Sequence, residues 1–274
     1  MRPIMANETA LYFAANLILF ALVLLSWGHL SRRRRVPSRV LRGTLLLFLS
    51  CQAVALLWSG ARLGPWAFAH PYLSAMFLAE SVVIVYLILE KMTTHSGVSP
   101  FVVSLAFIIH SCGLVVIPPP VAEALRISPF ARSPWYLFHL LSALVGCSAY
   151  TCAGGGAIGY LAATLPPRCR LAAGWLSRQD RQTFTRRALV IVFPWLSASL
   201  MTRALWTQLA WGTHWTWHPA EVSLLVVWLI LTMTLHARSL PRWQGRPLAL
   251  LSLLGFSLAM LSLPLLAQGL APTW

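Results

Sequence analysis

Long, unbroken runs of apolar residues dominate the chain, and polar residues interrupt them only at short breaks. A helix needs about 20 mostly apolar residues to cross the hydrocarbon core of a bilayer. Strands of a membrane barrel would instead alternate apolar and polar positions, which these runs do not. The pattern predicts an all-α, polytopic membrane helix bundle with about eight transmembrane helices. The predicted spans are approximately 9–30, 43–63, 72–90, 99–117, 135–164, 188–210, 220–238 and 247–268.

Composition agrees with a chain that lies almost entirely in the membrane. Of its 274 residues, 58% are hydrophobic and 10% are charged, whereas soluble domains carry about 25% charged residues. We therefore expect one integral membrane domain over 1–274. The first span is expected to be retained, because its apolar run exceeds the roughly 7–15 residues of a cleavable signal peptide. The proline-bounded loop 118–134 is compatible with one short helix over 121–127.

The net charge of +15 raises the question of nucleic acid binding, and the positions of the basic residues argue against it. Most of the 21 Lys and Arg residues lie in the loops that follow the first, third, fifth and seventh spans. This is the positive-inside distribution, which places those loops in the cytoplasm and both termini outside it. We expect the basic loops to contact anionic lipid headgroups of the bilayer, and we expect no nucleic acid partner.

The stretch WGTHWTWHPAE, residues 211–221, separates the sixth and seventh spans and is assigned to the extracytoplasmic side by this charge pattern. An aromatic belt at headgroup level is the ordinary explanation for tryptophan at a span end. This segment has more indoles than one helix end needs, and Gly212 leaves the backbone open to a flat molecule. We interpret it as a ligand-binding loop, with the belt as the alternative. The indoles concerned are Trp206, Trp211, Trp215 and Trp217.

The residues at the end of this loop suit the start of a helix, and two histidines there could ligate a metal. Pro219 suits the first position of span 7, where a missing N–H is harmless, and Glu221 then lies in the first turn, where the helix dipole favours an anion. His214 and His218 are four residues apart, so one helical turn would put both on one face. A zinc or copper site there would need further ligands from elsewhere in the chain.

Heme has the properties that such a segment would recognise. Its porphyrin is a large apolar plane, its iron takes axial histidines, and its propionates seek cations. Arg203 lies about two turns inside span 6, where an unpaired charge is costly; a propionate would pair with it, and snorkelling to the interface is the alternative. The candidate iron ligands are His139 with His214 or His218 for an outer heme, and His29 with His236 for an inner heme. The candidate heme contacts are Trp211, Gly212, Trp215, Trp217, Arg203, Pro219 and Glu221.

Residues 204–238 resemble the tryptophan-rich WWD region of cytochrome c assembly proteins, the CcsA/ResC, CcmC and HemX group. The matching positions are Trp211, Gly212, Trp215, Trp217, Pro219, Glu221, Trp228, His236 and Arg238. Upstream, the segment SPWYLFHLLSALVGCSAY is similar to a second span of that family through Trp135, His139 and Tyr150. The resemblance extends over roughly residues 60–270.

The resemblance implies a function in cytochrome c biogenesis. It implies a protein of the bacterial plasma membrane that presents heme b at the extracytoplasmic face for attachment to apocytochrome c, together with a companion assembly protein. It implies His139 as an axial ligand of the outer heme and His236 as a ligand of a heme inside the membrane. Whether the chain is itself an enzyme stays open, because thioether formation needs the thiols of the apocytochrome.

Several positions depart from the family pattern. His218 stands where the family has Asp, His214 where it has Tyr or Phe, and Ala220 where it has Lys. The second histidine of the outer site would fall within 267–274, where this sequence has none. Either His218 or His214 replaces that ligand, or the outer site no longer works. The second outcome would make the chain a non-catalytic, HemX-like regulator or a structural subunit of a larger respiratory or photosynthetic complex, with a fixed heme or none.

Overall fold

The computed structural model describes residues 2–31, 37–93, 97–120, 132–165 and 178–267. Within these ranges the chain is all-helical, as the apolar runs predict. Its long helices are α1 (Arg2–Ser31), α2 (Ser38–Leu63), α3 (Pro71–Met92), α4 (Ser99–Val116), α5 (Pro134–Thr164), α6 (Arg178–Trp211), α7 (Pro219–Ala237) and α8 (Arg246–Ala267). Short 3-10 helices occupy Pro65–Ala69 and Pro241–Trp243. Each of the eight long helices in the described ranges contains a stretch that is long and apolar enough to cross a membrane, so this is a multi-pass membrane protein.

The predicted spans match these helices closely, and the main difference lies in α6. This helix begins at Arg178, well before the predicted span 188–210. The additional turns are amphipathic and pack against the end of α5: Phe184 is fully buried, and the Arg181 guanidinium donates to the carbonyl of Gly159 at 2.6 Å. Hydropathy alone misses such an extension, because its polar residues bind protein instead of facing lipid. The short helix expected over 121–127 lies outside the described residues.

Proline marks the start of three helices, α3, α5 and α7, at Pro71, Pro134 and Pro219. A proline in the first turn removes an N–H that has no intrahelical partner and fixes φ near its helical value. The position expected for Pro219 is therefore confirmed. Because successive spans alternate in direction, the starts of these three helices lie at one end of the bundle, together with the C-terminal end of α6. We call this end the loop end of the bundle.

Helix α5 forms the centre of the bundle and packs against α3, α4, α6 and α8. Its glycines make this possible, since small residues let helix backbones approach closely in membranes. A Cβ on Gly155 would lie 3.1 Å from the Cα of Val102, and one on Gly159 would lie 3.0 Å from the ring of Phe101. Both neighbours belong to α4. These two glycines therefore let α4 and α5 pack closely.

A buried polar cluster joins α1, α2 and α4 on the other side of the bundle. The Asn16 amide donates to Nδ1 of His110 at 3.1 Å, and Nε2 of His110 lies 3.1 Å from Oε1 of Gln52. Because the amide nitrogen can only donate, Nδ1 accepts and Nε2 carries the proton. Both His110 and Gln52 are fully buried. With both ring nitrogens occupied, His110 is a packing residue.

Candidate functional site

The loop 212–218 between α6 and α7 is irregular backbone with a defined cap at each end. Gly212 has a φ of +71°, and its N–H bonds to the carbonyl of Gln208 at 3.0 Å, a left-handed helix ending that suits glycine. At the other end, Nδ1 of His218 accepts from the N–H of Ala220 at 3.3 Å and caps α7. Trp217 has a φ of +60° without being glycine. Such backbone is unfavourable and persists only where contacts hold it.

The carboxylate of Glu221, in the first turn of α7, provides those contacts. Its Oε2 accepts from the backbone N–H of Thr216 at 2.8 Å, and its Oε1 accepts from the Thr216 hydroxyl, also at 2.8 Å. The side chain of Glu221 is completely buried. Its position in the first turn is the expected one, but its hydrogen bonds show that it also anchors the loop to α7.

Arg203 of α6 is the positive partner of this carboxylate. Its Nε lies 3.5 Å from Oε1 of Glu221, and only 3% of its side chain is exposed. Snorkelling to the interface, one of the two alternatives drawn from the sequence, is therefore wrong. An ion pair within the chain accounts for the buried charge, because a charge in a membrane protein needs a partner. Nη1 of Arg203 is also buried and has no hydrogen-bond partner among the described residues.

His139 lies close to the start of α5 and faces α6. Its Nδ1 is 2.9 Å from both the carbonyl oxygen and the hydroxyl of Ser199. A carbonyl oxygen can only accept, so Nδ1 carries the ring proton and Nε2 keeps a lone pair. Nε2 is buried and has no hydrogen-bond partner among the described residues. Ser199 therefore fixes the tautomer and the orientation of the His139 ring, an arrangement that metal-binding histidines commonly show.

The tryptophans of the segment divide into a buried one and three at the surface. Trp206 is 1% exposed and packs on Tyr136, with ring centroids 4.9 Å apart, and on Trp211 at 4.8 Å. The guanidinium carbon of Arg203 lies 4.9 Å from the Trp206 ring. Trp211 and Trp217 are 46% and 75% exposed, and Trp215 is partly exposed and meets Trp217 edge to face. Trp206 is thus part of the protein interior, whereas the other three present indole surface outward.

The remaining histidines are dispersed over the structure. His214 is exposed in the loop and His218 is half-buried. Since this loop is not helical, the one-turn spacing that would put both on a helix face is absent. His29 and His236 are exposed, near the C-terminal ends of α1 and α7. Within the described part of the chain, no group of three or more His, Cys, Asp or Glu side chains could hold a metal ion.

An apolar cleft of about 830 Å³ lies between α3, α4, α5 and α8. From α5 it is lined by Leu140 and Leu144, on a different side of the helix from His139. No residue predicted to contact heme lines this cleft. The cleft is therefore separate from the surface formed by the tryptophan-rich loop.

Sequence reasoning did not identify the residues that orient the site. Ser199 is one small polar residue in an apolar span, and no pattern distinguishes it from packing serines. Thr216 is one threonine between two tryptophans, and Tyr136 follows one. Their contacts depend on how α5, α6 and α7 pack, which local sequence does not encode.

Comparison with known proteins places the chain in a family. Residues 69–266, the larger part of the chain, match the family model described as cytochrome C assembly protein. Three of the similar proteins, each named cytochrome c biogenesis protein CcsA, are matched over most of their length. The one from Marchantia polymorpha is 23% identical, covering 98% of each chain, and the one from Mesostigma viride is 24% identical, covering 96% of each. The one from Synechococcus sp. (strain CC9902) is 26% identical, covering 90% of this chain and 89% of its own. This chain belongs to the cytochrome c assembly protein family.

Proposed function

We propose that this protein binds heme at the loop end of the bundle and presents it there for attachment to apocytochrome c. The observation that carries the proposal is the state of His139. Its Nδ1–H donates to the Ser199 carbonyl at 2.9 Å, and its buried Nε2 has no hydrogen-bond partner among the described residues. A histidine that ligates a metal commonly donates its other ring N–H to a carbonyl in this way. Burying an unpaired imidazole nitrogen is otherwise unfavourable.

The loop supplies surfaces that suit the rest of a porphyrin. The exposed indoles of Trp211, Trp215 and Trp217 offer apolar faces at the end of the bundle that holds His139. Nη1 of Arg203, buried and without a hydrogen-bond partner among the described residues, is a donor for a propionate even while Nε pairs with Glu221. When bound, heme would supply an iron, which accepts axial ligands. It would also supply vinyl groups, which react with thiols. The residues of this chain would hold and orient it.

A second axial ligand would come from the loop. His214 is exposed. Nδ1 of His218 accepts from the N–H of Ala220 as the cap of α7, so its Nε2 carries the ring proton. His218 would have to give up this cap to bind iron. His214 and His218 are both candidates for the second axial ligand. Gly212 and Pro219 are proposed to contact the same heme. The proposed cofactor is heme b, and the proposed partners are apocytochrome c and a companion assembly protein.

The proposed location is the bacterial plasma membrane, with the loop on the extracytoplasmic side. The distribution of basic residues supports this orientation: Arg238, Arg242 and Arg246 follow α7, and Arg181, Arg186 and Arg187 lie in the first turns of α6. Positive residues concentrate on cytoplasmic loops. The loop end lies opposite to both groups, and both termini would lie with it outside the cytoplasm.

Absorbance spectroscopy of the purified protein loaded with hemin tests the proposal. We expect the spectrum of low-spin heme with two imidazole ligands, lost in His139→Ala and retained in His29→Ala and His236→Ala. Loss in either His214→Ala or His218→Ala would identify the second ligand. A wild-type protein that fails to bind hemin, or a spectrum unaffected by His139→Ala, would refute the proposal.

A fixed heme inside the membrane is the second candidate function. The capping role of His218 favours it, because that imidazole already serves the fold, and 267–274 offers no replacement. The chain would then be a HemX-like regulator or a subunit of a larger membrane complex. In the same experiment, a spectrum lost in His236→Ala and retained in His139→Ala would support this function. A colourless protein that binds zinc through His214 and His218 would support a metal site instead.

A further inference from the structure

We propose that Glu221 is a positioning residue, which together with Arg203 fixes the tryptophan-rich loop in its binding conformation. Glu221 accepts two hydrogen bonds from one loop residue, Thr216, through its backbone N–H and its hydroxyl, both at 2.8 Å. The carboxylate belongs to α7, and its partner Arg203 belongs to α6. One buried anion therefore ties both helices to the centre of the loop.

Thr216 is the residue whose position controls two of the exposed indoles. It lies between Trp215 and Trp217, so fixing its backbone also fixes the directions in which those two side chains leave the chain. Trp217 follows with a φ of +60°, a conformation that residues other than glycine rarely adopt. The two hydrogen bonds from Thr216 to Glu221 hold the backbone at the residue that precedes this unfavourable conformation.

The helix dipole alone does not account for this arrangement. A dipole would favour a carboxylate in the first turn of α7 even if that carboxylate faced water. Here the side chain of Glu221 is fully buried and that of Arg203 is 3% exposed. A buried carboxylate is costly without both a counter-charge and hydrogen-bond donors. Arg203 provides the charge, and Thr216 provides the donors.

Arg203 extends the connection towards the heme-ligand candidate. Its guanidinium lies 4.9 Å from the ring of Trp206, and Trp206 packs on both Tyr136 of α5 and Trp211. The ring of Tyr136 lies 6.2 Å from that of His139. The loop is thereby held in a fixed relation to the helix that carries His139. The consequence for heme retention rests on the proposed function, whereas the consequence for the loop does not.

Hydrogen exchange of the heme-free protein tests the positioning role by itself. In the wild type we expect the Thr216 amide to be protected. Glu221→Gln loses the charge that pairs with Arg203 and has one acceptor oxygen where the carboxylate has two. In this variant we expect exchange about tenfold faster or more. Ser223→Ala is the matched control, because within the described part of the chain the Ser223 hydroxyl bonds to the Ala220 carbonyl of its own helix and to no residue of the loop. Unchanged exchange in Glu221→Gln would overturn the inference.

Heme release separates positioning from general destabilisation. We expect hemin to pass from Glu221→Gln to apomyoglobin about tenfold faster than from the wild type, with unchanged absorbance maxima. Residues that hold metal-site groups in position without binding the metal commonly change metal affinity by about 10–100-fold. Thr216→Ala should release faster as well, and Thr216→Ser, which keeps the hydroxyl, should restore the wild-type rate. Thr216→Ala and Thr216→Ser give the same comparison if Glu221→Gln does not fold. If Thr216→Ala and Thr216→Ser exchange and release alike, the positioning role is wrong. If the wild type binds no hemin while loop exchange responds as expected, the proposed function fails and the positioning role stands.

Discussion

The buried cluster of Asn16, Gln52 and His110 gives a quantitative test of how α1, α2 and α4 are held together. Replacing His110 by Leu removes two hydrogen bonds, one from Asn16 and one to Gln52. Hydrogen bonds between membrane helices contribute about 0.6 kcal/mol each on average, so the two bonds account for about 1 kcal/mol. Asn16 keeps its bond to the Ser111 hydroxyl at 2.9 Å.

The larger effect comes from the group that the substitution leaves behind. Oε1 of Gln52 is fully buried and loses the His110 donor, while its amide nitrogen still donates to the Met76 carbonyl at 3.1 Å. A stranded buried acceptor costs about 1–3 kcal/mol. We therefore expect His110→Leu to lower the free energy of unfolding by about 2–4 kcal/mol. The double variant Gln52→Leu/His110→Leu should cost less than the sum of its two single variants, by about 0.5–3 kcal/mol.

Reversible unfolding in mixed micelles with increasing SDS, followed by far-ultraviolet circular dichroism, measures these differences. Ile108→Ala is the control on the same helix, because Ile108 is 53% exposed at the bundle surface; its effect should stay within about 0.5 kcal/mol. The effects of the Gln52 and His110 substitutions on the free energy of unfolding could instead add to within about 0.5 kcal/mol. In that case the two side chains do not interact. The reasoning that assigns His110 to packing would then be refuted.

Further predictions concern packing, pH and topology. Gly155→Leu would press a side chain against the backbone of α4 at Val102, so we expect about 1–3 kcal/mol lower stability in the same SDS assay. Burial lowers the pKa of His70, whose neutral Nδ1 caps α3; the stabilisation is therefore present above pH 6.5 or so and is lost as pH falls through the folded pKa. His70→Asn, which caps at any pH, should remove that pH dependence of thermal stability. In intact cells, a cysteine at Thr213 should react with an impermeant maleimide, and one at Arg242 should not; the reverse result would invert the orientation.

The sequence predicts the helices of this protein well because each one is a long apolar run bounded by polar or proline residues. Run length and hydropathy are local properties, and a bilayer admits few other structures. The extension of α6 to Arg178 escapes this reasoning, since Arg181 and Phe184 are stabilised by contacts with α5. Contacts of that kind depend on which helices become neighbours.

The candidate site was predictable in its residue types and less so in their partners. The tryptophan-rich loop, His139 and the buried charge of Arg203 can all be picked out from chemistry and depth. The pairing of Arg203 with Glu221 could not, because a propionate explains a buried arginine equally well from the sequence alone. The orientation of His139 depends on Ser199 of α6, and nothing in the sequence marks that serine. Ligand assignment for His139, His214, His218, His236 and His29 remains a prediction.

The glycine-rich central helix has a consequence for how this protein is made. Among the eight candidate spans of the described chain, α5 has the lowest hydropathy, and it is also the one most enclosed by its neighbours. A segment with weaker affinity for hydrocarbon partitions less readily from the translocon into lipid. Helices α3 and α4 are synthesised first and present their packing surfaces to it, whereas α6 and α8 emerge later. Stable integration of α5 should therefore depend on α3 and α4. In a nascent chain that lacks them, we expect the α5 segment to be translocated across the membrane instead of integrated into it.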